Sequence, residues 1–225
     1  MRLSCLIPAY NEAARIGAVL DAALNHPLID EVIVIDDGST DGTARIAARD
    51  GVRLLHMAQN GGKTQALAAG IALARGDTLL FLDADLTGLT AQDLTRLILP
   101  VASGRADTAI SLRRNAPSLW RWIGLDYISG ERVLPRALLD GHLDRLCHLP
   151  RFGVEVYMNS LEIAARHRIA VVRWNGVSSP SKAAKRGLVA GVRADIAMLA
   201  DIFNTIGAAT TLRQILQLLT QRVPA

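Results

Sequence analysis

The sequence predicts an open, mostly parallel α/β sheet, doubly wound with helices on both faces. Three observations point there. Short apolar runs rich in β-branched residues recur through the first half, apolar on both faces as buried parallel strands require. Helical stretches follow these runs, their apolar residues spaced to cover one face. Polar clusters fall where the runs end, the side of such a sheet on which ligands bind.

The first run, Leu3 to Ile7, stops at Pro8. Residues 11–24 follow as a helix with Ile16, Val19, Leu20, Ala23 and Leu24 on one face. Val32 to Ile35 is the second strand and ends abruptly in Asp36-Asp37-Gly38-Ser39. Ser39 or Thr40 can cap a helix over about 41–50, with Asp41 in its first turn. Val52 to His56 is a third strand, and Asn60-Gly61-Gly62 a turn. Lys63 to Arg75 is an alanine-rich helix closed by Gly76. Thr78 to Leu82 is a fourth strand, ending in Asp83-Ala84-Asp85. A helix over 90–103 and a strand from Thr108 to Leu112 complete the alternation, and Val171 to Trp174 is a late strand. Beyond it, two amphipathic helices occupy 188–225, broken at Gly207, with Thr210 or Thr211 capping the second.

Composition narrows the function. The 225 residues are 50% hydrophobic and 20% charged, which excludes a disordered chain. Two cysteines, Cys5 and Cys147, make neither a disulfide scaffold nor a zinc site and fit a reducing compartment. The start reads as no export signal, and no stretch is apolar enough to span a membrane. The expected location is the cytoplasm, with the chain free or peripheral at the inner membrane face. Residues 1–112 carry 9 Lys and Arg against 13 Asp and Glu, whereas residues 113–225 carry 16 against 8. A −4 half beside a +8 half suggests a site that handles a cation and an anion together. Aromatic residues are only 4%, with no stacking platform among the basic residues, so nucleic acid is not an expected partner.

The acidic clusters carry the chemistry. Asp83 and Asp85, one residue apart at a strand end, can both reach one divalent cation, and oxygen ligands suit Mg²⁺ or Mn²⁺. Such a cation stabilises a diphosphate leaving group. Asp37 can accept hydrogen bonds from a base or ribose, although Asp-Gly-Ser-Thr-Asp-Gly is also ordinary turn chemistry. Lys63, after two glycines and opening a helix, can reach a phosphate. Neither a P-loop nor a Gly-x-Gly-x-x-Gly dinucleotide loop is present.

Four blocks in order carry a resemblance: Ile7-Pro8-Ala9-Tyr10-Asn11-Glu12, Val34-Ile35-Asp36-Asp37-Gly38-Ser39-Thr40-Asp41, Asn60-x-Gly62-Lys63-x-x-Ala66-Leu67 and Leu82-Asp83-Ala84-Asp85. Over about residues 3–115 the chain resembles the family 2 glycosyltransferases. That resemblance implies a GT-A fold in a single domain, 1–225, with a nucleotide-sugar and metal half at 1–112 and an acceptor half at 113–187. It implies a UDP- or GDP-sugar donor held by Pro8, Ala9, Tyr10, Glu12, Asp37, Lys63, Asp83 and Ala84. Asp83 and Asp85 would be the metal ligands, Asp85 serving catalysis.

In the second half, Ser129-Gly130-Glu131-Arg132-x-x-x-Arg136 resembles the Ser-Gly-x-Arg block of polyprenyl-phosphate sugar synthases. This implies that Arg113, Arg132, Arg136 and Lys182 hold an acceptor phosphate, guanidinium suiting phosphate by its fork geometry. The same arginines can instead pair with Asp126, Asp140 and Asp144. Gly153-Val154-Glu155 resembles the block that opens a helix in these enzymes, which makes Glu155 the candidate general base. A third metal ligand, commonly a His near residue 178 in GT-A enzymes, is missing from the sequence there. The expected function is hexose transfer from a nucleotide-diphosphate sugar to a phosphate-bearing acceptor, with lipid phosphate favoured. A soluble acid such as phosphoglycerate, or a non-catalytic binding protein, are the alternatives. The C-terminal helices could pack on the core, touch a membrane surface or form a homodimer seam.

Overall fold

A computed structural model describes residues 1–149, 153–179 and 207–225. In the first half β1 (Leu3–Ala9), α1 (Ile16–Ala23), β2 (Glu31–Asp36), α2 (Thr43–Ala47), β3 (Val52–His56), α3 (Lys63–Leu73), β4 (Thr78–Phe81), α4 (Ala91–Ala102) and β5 (Thr108–Arg113) alternate as the sequence predicts. There follow α5 (Ser118–Ile123), β6 (Arg132–Pro135), α6 (Leu143–Leu146), α7 (Gly153–Ala164), β7 (Ile169–Trp174), α8 (Ala208–Thr220) and β8 (Arg222–Val223).

Among the described residues, eight strands form one sheet in the order β3-β2-β1-β4-β6-β5-β7-β8. β6 runs antiparallel to β4 and β5, and the remaining pairs are parallel. The chain winds from β1 outward through β2 and β3, then returns to place β4 on the other side of β1. That reversal opens a crevice beyond the carboxyl ends of β1 and β4, the usual ligand position in such sheets. One face of the sheet is covered by α1 and α4, through Ile16, Val19, Leu20, Leu94, Leu97 and Ile98. The other is covered by α3 and α7, through Ala66, Leu67, Ile71, Val154 and Met158. A third cluster around Ile110, Trp120, Val171, Ile215 and Leu218 joins α5 and α8 to the β5–β7 end. No described helix is long and apolar enough to cross a membrane.

Several boundaries differ from expectation for local reasons. α1 starts at Ile16 rather than near residue 11, because Asn11 sits at φ 54° and its side chain accepts from Thr40 N–H at 2.9 Å. Ser39 and Thr40 cap nothing; Gly42, at φ 90°, occupies the position before α2, which is only five residues long. Gly76 does not close α3, which ends at Leu73 with Ala74 extended. Instead Gly76 lies against the start of β1, where an added Cβ would meet Arg2 O at 2.5 Å and Ser4 N at 2.8 Å. These are backbone atoms paired into the sheet and cannot retreat. Gly76→Ala is therefore expected to cost about 1–3 kcal/mol, read as a lower urea midpoint at unchanged slope. The second C-terminal helix begins at Ala208, with Thr210 and Thr211 inside it, and gives way to the short strand β8. The expected first helix of that pair, over 188–206, and Lys182 lie outside the described residues.

Candidate active site

The loops after β1 and β2 are fastened to each other. Asn11 N–H donates to Ser39 Oγ at 2.9 Å, Glu12 N–H to Thr43 Oγ1 at 2.8 Å and Ala13 N–H to Asp41 Oδ2 at 3.1 Å. This latch holds Tyr10 and Asp37 at one rim. Asp37, almost fully buried, accepts from Gly61 N–H at 2.7 Å and Gly62 N–H at 2.8 Å, one on each carboxylate oxygen. It thereby fixes the glycine turn that launches α3 and aims Lys63, while each oxygen keeps a lone pair for a ligand. Asp36 is wholly buried and bonded to His56 Nδ1 at 2.6 Å.

All eight residues expected to hold a donor line one cleft of about 240 Å³, joined by Ala66 and Asp85. A second cleft of about 520 Å³ adjoins it, walled by Arg113, Ile128, Leu149, Glu155 and Ser179. Lys63 and Asp83 line both. The Lys63 ammonium sits 2.9 Å from Asp83 Oδ1 and 2.9 Å from Glu155 Oε1, bridging the two clefts. Burial alone would push this ammonium's pKa down, but the two carboxylates outweigh it and hold it above its ordinary value. Burial likewise pushes Asp83 up, but Lys63 and Arg113 prevail and keep its carboxyl below the usual range. Asp83 is thus an anion ready to meet a cation.

The two carboxylates fit a divalent ion. Asp85 Oδ2 accepts from Ser179 Oγ at 2.7 Å, while Oδ1 is buried with no hydrogen-bond partner among the described residues. A buried carboxylate oxygen without a hydrogen-bond partner, beside a second carboxylate on the same cleft, is chemistry that suits a divalent cation. Among the described residues no group of three His, Cys, Asp or Glu gathers, so the protein would offer the two aspartates and leave further positions to phosphate and water.

Arg113, at the end of β5, is backed by buried carboxylates: Glu131 Oε1 lies 3.3 Å away and Asp126 Oδ2 3.8 Å away. Burial pushes the carboxyl of Asp126 up to about 6, and that of Glu131 upward as well, against the pull of Arg113. A carboxyl whose folded pKa exceeds its unfolded value stabilises the fold at low pH and loses that contribution as pH rises through the folded value. Asp126→Asn is therefore expected to gain stability relative to the native chain between about pH 4 and pH 6, measured by urea unfolding at each pH.

Two expected phosphate ligands do not line either cleft. Arg132 is wholly buried; its Nη2 and Nε donate to Ser129 O at 2.7 and 3.2 Å, its Nη1 donates to Asn159 Oδ1 at 3.1 Å, and Glu162 lies 3.7 Å away. Arg136 is carried to the opposite rim, because β6 runs antiparallel: Phe81 at the end of β4 faces Arg132, and Thr78 at its start faces Pro135. There Arg136 binds Ala74 O and lies 3.8 Å from Asp140, the pairing its sequence also allowed. In the Ser-Gly-Glu-Arg block it is the glycine that meets the site. A Cβ on Gly130 would lie 2.8 Å from Lys63 Nζ and 3.0 Å from Asp83 Oδ1. Gly130, Glu131 and Ser179 were not among the expected site residues; the need for a small residue beside Lys63 is visible only in three dimensions.

A profile of glycosyl transferase family 2 matches residues 4–151. Dolichyl-phosphate beta-glucosyltransferase of Mus musculus is 36% identical over 100 residues, covering 37% of this chain and 31% of the relative. Glucosyl-3-phosphoglycerate synthase of Mycolicibacterium paratuberculosis is 35% identical over 111 residues, covering 45% of this chain and 34% of the relative. The chain thus matches about a third of the length of these relatives. Among solved structures, glucosyl-3-phosphoglycerate synthase of Mycobacterium tuberculosis with Mn²⁺, UDP and glucosyl-3-phosphoglycerate superposes at a TM-score of 0.65 and 27% identity, covering 86% of this chain and 79% of that one. The same enzyme was solved with Mg²⁺ and UDP. The likeness covers most of the chain and shows a GT-A fold, and the profile spans about two thirds of the chain: this protein belongs to glycosyl transferase family 2.

Proposed function

We propose that the chain transfers a hexose from a UDP- or GDP-linked sugar to a phosphate-bearing acceptor, with a lipid phosphate as the favoured acceptor. One observation carries this reading: an acidic cleft and a cleft holding Arg113 meet at Lys63 and Asp83. A sugar whose diphosphate lies in the first cleft presents its anomeric carbon toward the second.

Each side chain then has a task. Pro8, Ala9 and Tyr10 form the wall against which a base rests, and Asp37 accepts from it. Asp83 and Asp85 would hold Mg²⁺ or Mn²⁺, which would supply charge neutralisation for the departing diphosphate. Arg113, kept in place from behind by Glu131 and Asp126, pairs with the acceptor phosphate. Lys63 links the clefts and orients Glu155. A phosphate oxygen attacks the anomeric carbon as the bond to the diphosphate breaks; because that nucleophile is already anionic, positioning and charge neutralisation suffice. Glu155 then holds Lys63 and the sugar.

A second reading, transfer to a small soluble acid, is favoured by the structural likeness to an enzyme solved with a phosphoglycerate product. There the nucleophile is a hydroxyl, and Glu155 must take its proton. Parallel incubations with labelled UDP-glucose or GDP-mannose, Mn²⁺ and either a short-chain polyprenyl phosphate or 3-phosphoglycerate test the choice. Label moving into the butanol-extracted lipid supports the first reading. Label found only in the phosphoglycerate product replaces it with the second, and label in neither removes both acceptors.

A further inference from the structure

The segment between Arg113 and Ile128 leaves the acceptor cleft and returns to it, since both of those residues line the cleft. Its excursion is α5, and α5 has an unusual surface. Trp122 is 85% exposed and Leu119 40% exposed, whereas the other two tryptophans, Trp120 and Trp174, are buried. Water contact over a whole indole is costly, and a lone exposed apolar residue needs no explanation unless its surroundings add to it.

Here they do. Trp120 on α5 packs in one cluster with Ile215 and Leu218 of α8, and α8 exposes Leu212 and Leu216. At the end of α5, the Cβ position of Gly124 lies 3.0 Å from the Arg222 guanidinium and 3.6 Å from that of Arg173. The three segments that meet here, 113–125, 169–179 and 207–225, contain six arginines and no Asp or Glu. Of these, Arg114, Arg121, Arg173, Arg213 and Arg222 are exposed. The exposed indole of α5, with cations of one sign in the segments packed around it, matches a bilayer interface bearing anionic headgroups. Tryptophan settles at headgroup depth, and each nearby arginine adds attraction to anionic lipid.

We propose that α5, with Trp122 as its inserted side chain and the surrounding arginines on the headgroups, docks this protein on an anionic membrane surface beside the acceptor cleft. The docking deepens the lipid-phosphate reading above and rests on it for its purpose: a lipid held at that surface needs to raise only its phosphate to reach Arg113.

The test is sedimentation of the full chain with sucrose-loaded vesicles, either pure phosphatidylcholine or three parts phosphatidylcholine to one part phosphatidylglycerol. The expected result is binding to the anionic vesicles, loss of most binding in about 500 mM salt, and a partition coefficient lower by roughly tenfold in Trp122→Ser. Arg121→Gln should weaken binding to a lesser degree. Because the other two tryptophans are buried, quenching of native fluorescence by brominated lipid should disappear in Trp122→Ser. A native chain that stays in the supernatant, or a Trp122→Ser variant that binds as well as the native one, overturns the proposal. So does light scattering that shows a dimer dissolved by Trp122→Ser, since a second copy would then be the occupant of this face. Activity on a water-soluble short-chain polyprenyl phosphate without vesicles is measured in parallel. It reads the acceptor assignment alone, and Trp122→Ser is expected to leave it unchanged.

Discussion

Asp85→Asn is expected to lower kcat/KM for sugar transfer by on the order of 10³-fold, about 4 kcal/mol of transition-state stabilisation, while the melting temperature of the ligand-free protein stays within a degree or so of native. The reason lies in how differently the two carboxylate oxygens of Asp85 are used. Oδ2 is engaged by Ser179 Oγ at 2.7 Å, a bond that an asparagine oxygen can still accept. Oδ1 has no hydrogen-bond partner among the described residues. The substitution therefore removes the ligand charge and spares the shape. A readout independent of turnover accompanies it. Mn²⁺ with UDP should raise the melting point of the native chain in proportion to their joint affinity and concentration, and should not raise that of the variant. EDTA should silence the native enzyme to the same degree. Undiminished transfer in EDTA, or a variant that keeps both the thermal shift and the rate, would remove the cation from this site.

The donor side of this arrangement was legible because it is local. A parallel strand whose both faces are buried announces itself as an unbroken apolar run, and its carboxyl end is marked by the first polar residues after it. Pro8 to Glu12, Asp37 and Asp83 to Asp85 could each be placed at the rim from their own short stretch. The alternation of strands and helices then required only that all these ends lie on one side. Lys63 followed because a helix that opens after two glycines at such a rim can reach a phosphate with its first side chain.

The acceptor side was legible only in part: Arg113 and Glu155 do line the second cleft, but the places of Arg132 and Arg136 depend on a strand direction that no residue encodes alone. β6 is four residues, Arg-Val-Leu-Pro, begun by a cation and ended by a proline. It shows no period, and it exists because β4 and β5 flank it with free edges. Running antiparallel, it carries Arg136 away from the site with every step. The resemblance of the Ser-Gly-x-Arg block also misplaced Arg132, since a cation is ordinarily expected at the surface. What hid its burial is that Glu162 and Asn159 arrive from α7, some thirty residues later, to receive it. The same non-locality concealed Glu131 behind Arg113, whereas Asp126 was among the partners the sequence allowed. The excess of positive charge in the second half was real, but part of it is consumed internally.

Arg132 yields the second large effect, and it separates a structural cation from a ligand-binding one. Arg132→Met keeps much of the side-chain length and removes the charge. Glu162, fully buried at 3.7 Å, would then hold its carboxylate without a counter-charge, and Ser129 O and Asn159 Oδ1 would each lose a donor. Breaking a buried pair in this way costs about 3–5 kcal/mol, which for a chain of this size lowers the melting temperature by roughly 10 °C. Burial already pushes the Glu162 carboxyl's pKa upward with the arginine present, so without it the group should protonate more readily and the loss should shrink as pH falls. Adding Glu162→Gln should recover part of the loss, because the uncompensated charge goes with it. KM for the acceptor, measured below the lowered melting point, should change by no more than about twofold, since a guanidinium with no exposed surface cannot touch a phosphate in the cleft. Arg113→Met should show the converse, a large rise in acceptor KM, because Arg113 lines that cleft. If Arg132→Met instead left stability intact and raised acceptor KM by tenfold or more, the buried network would have been misassigned, and Arg132 would return to the site as its phosphate ligand.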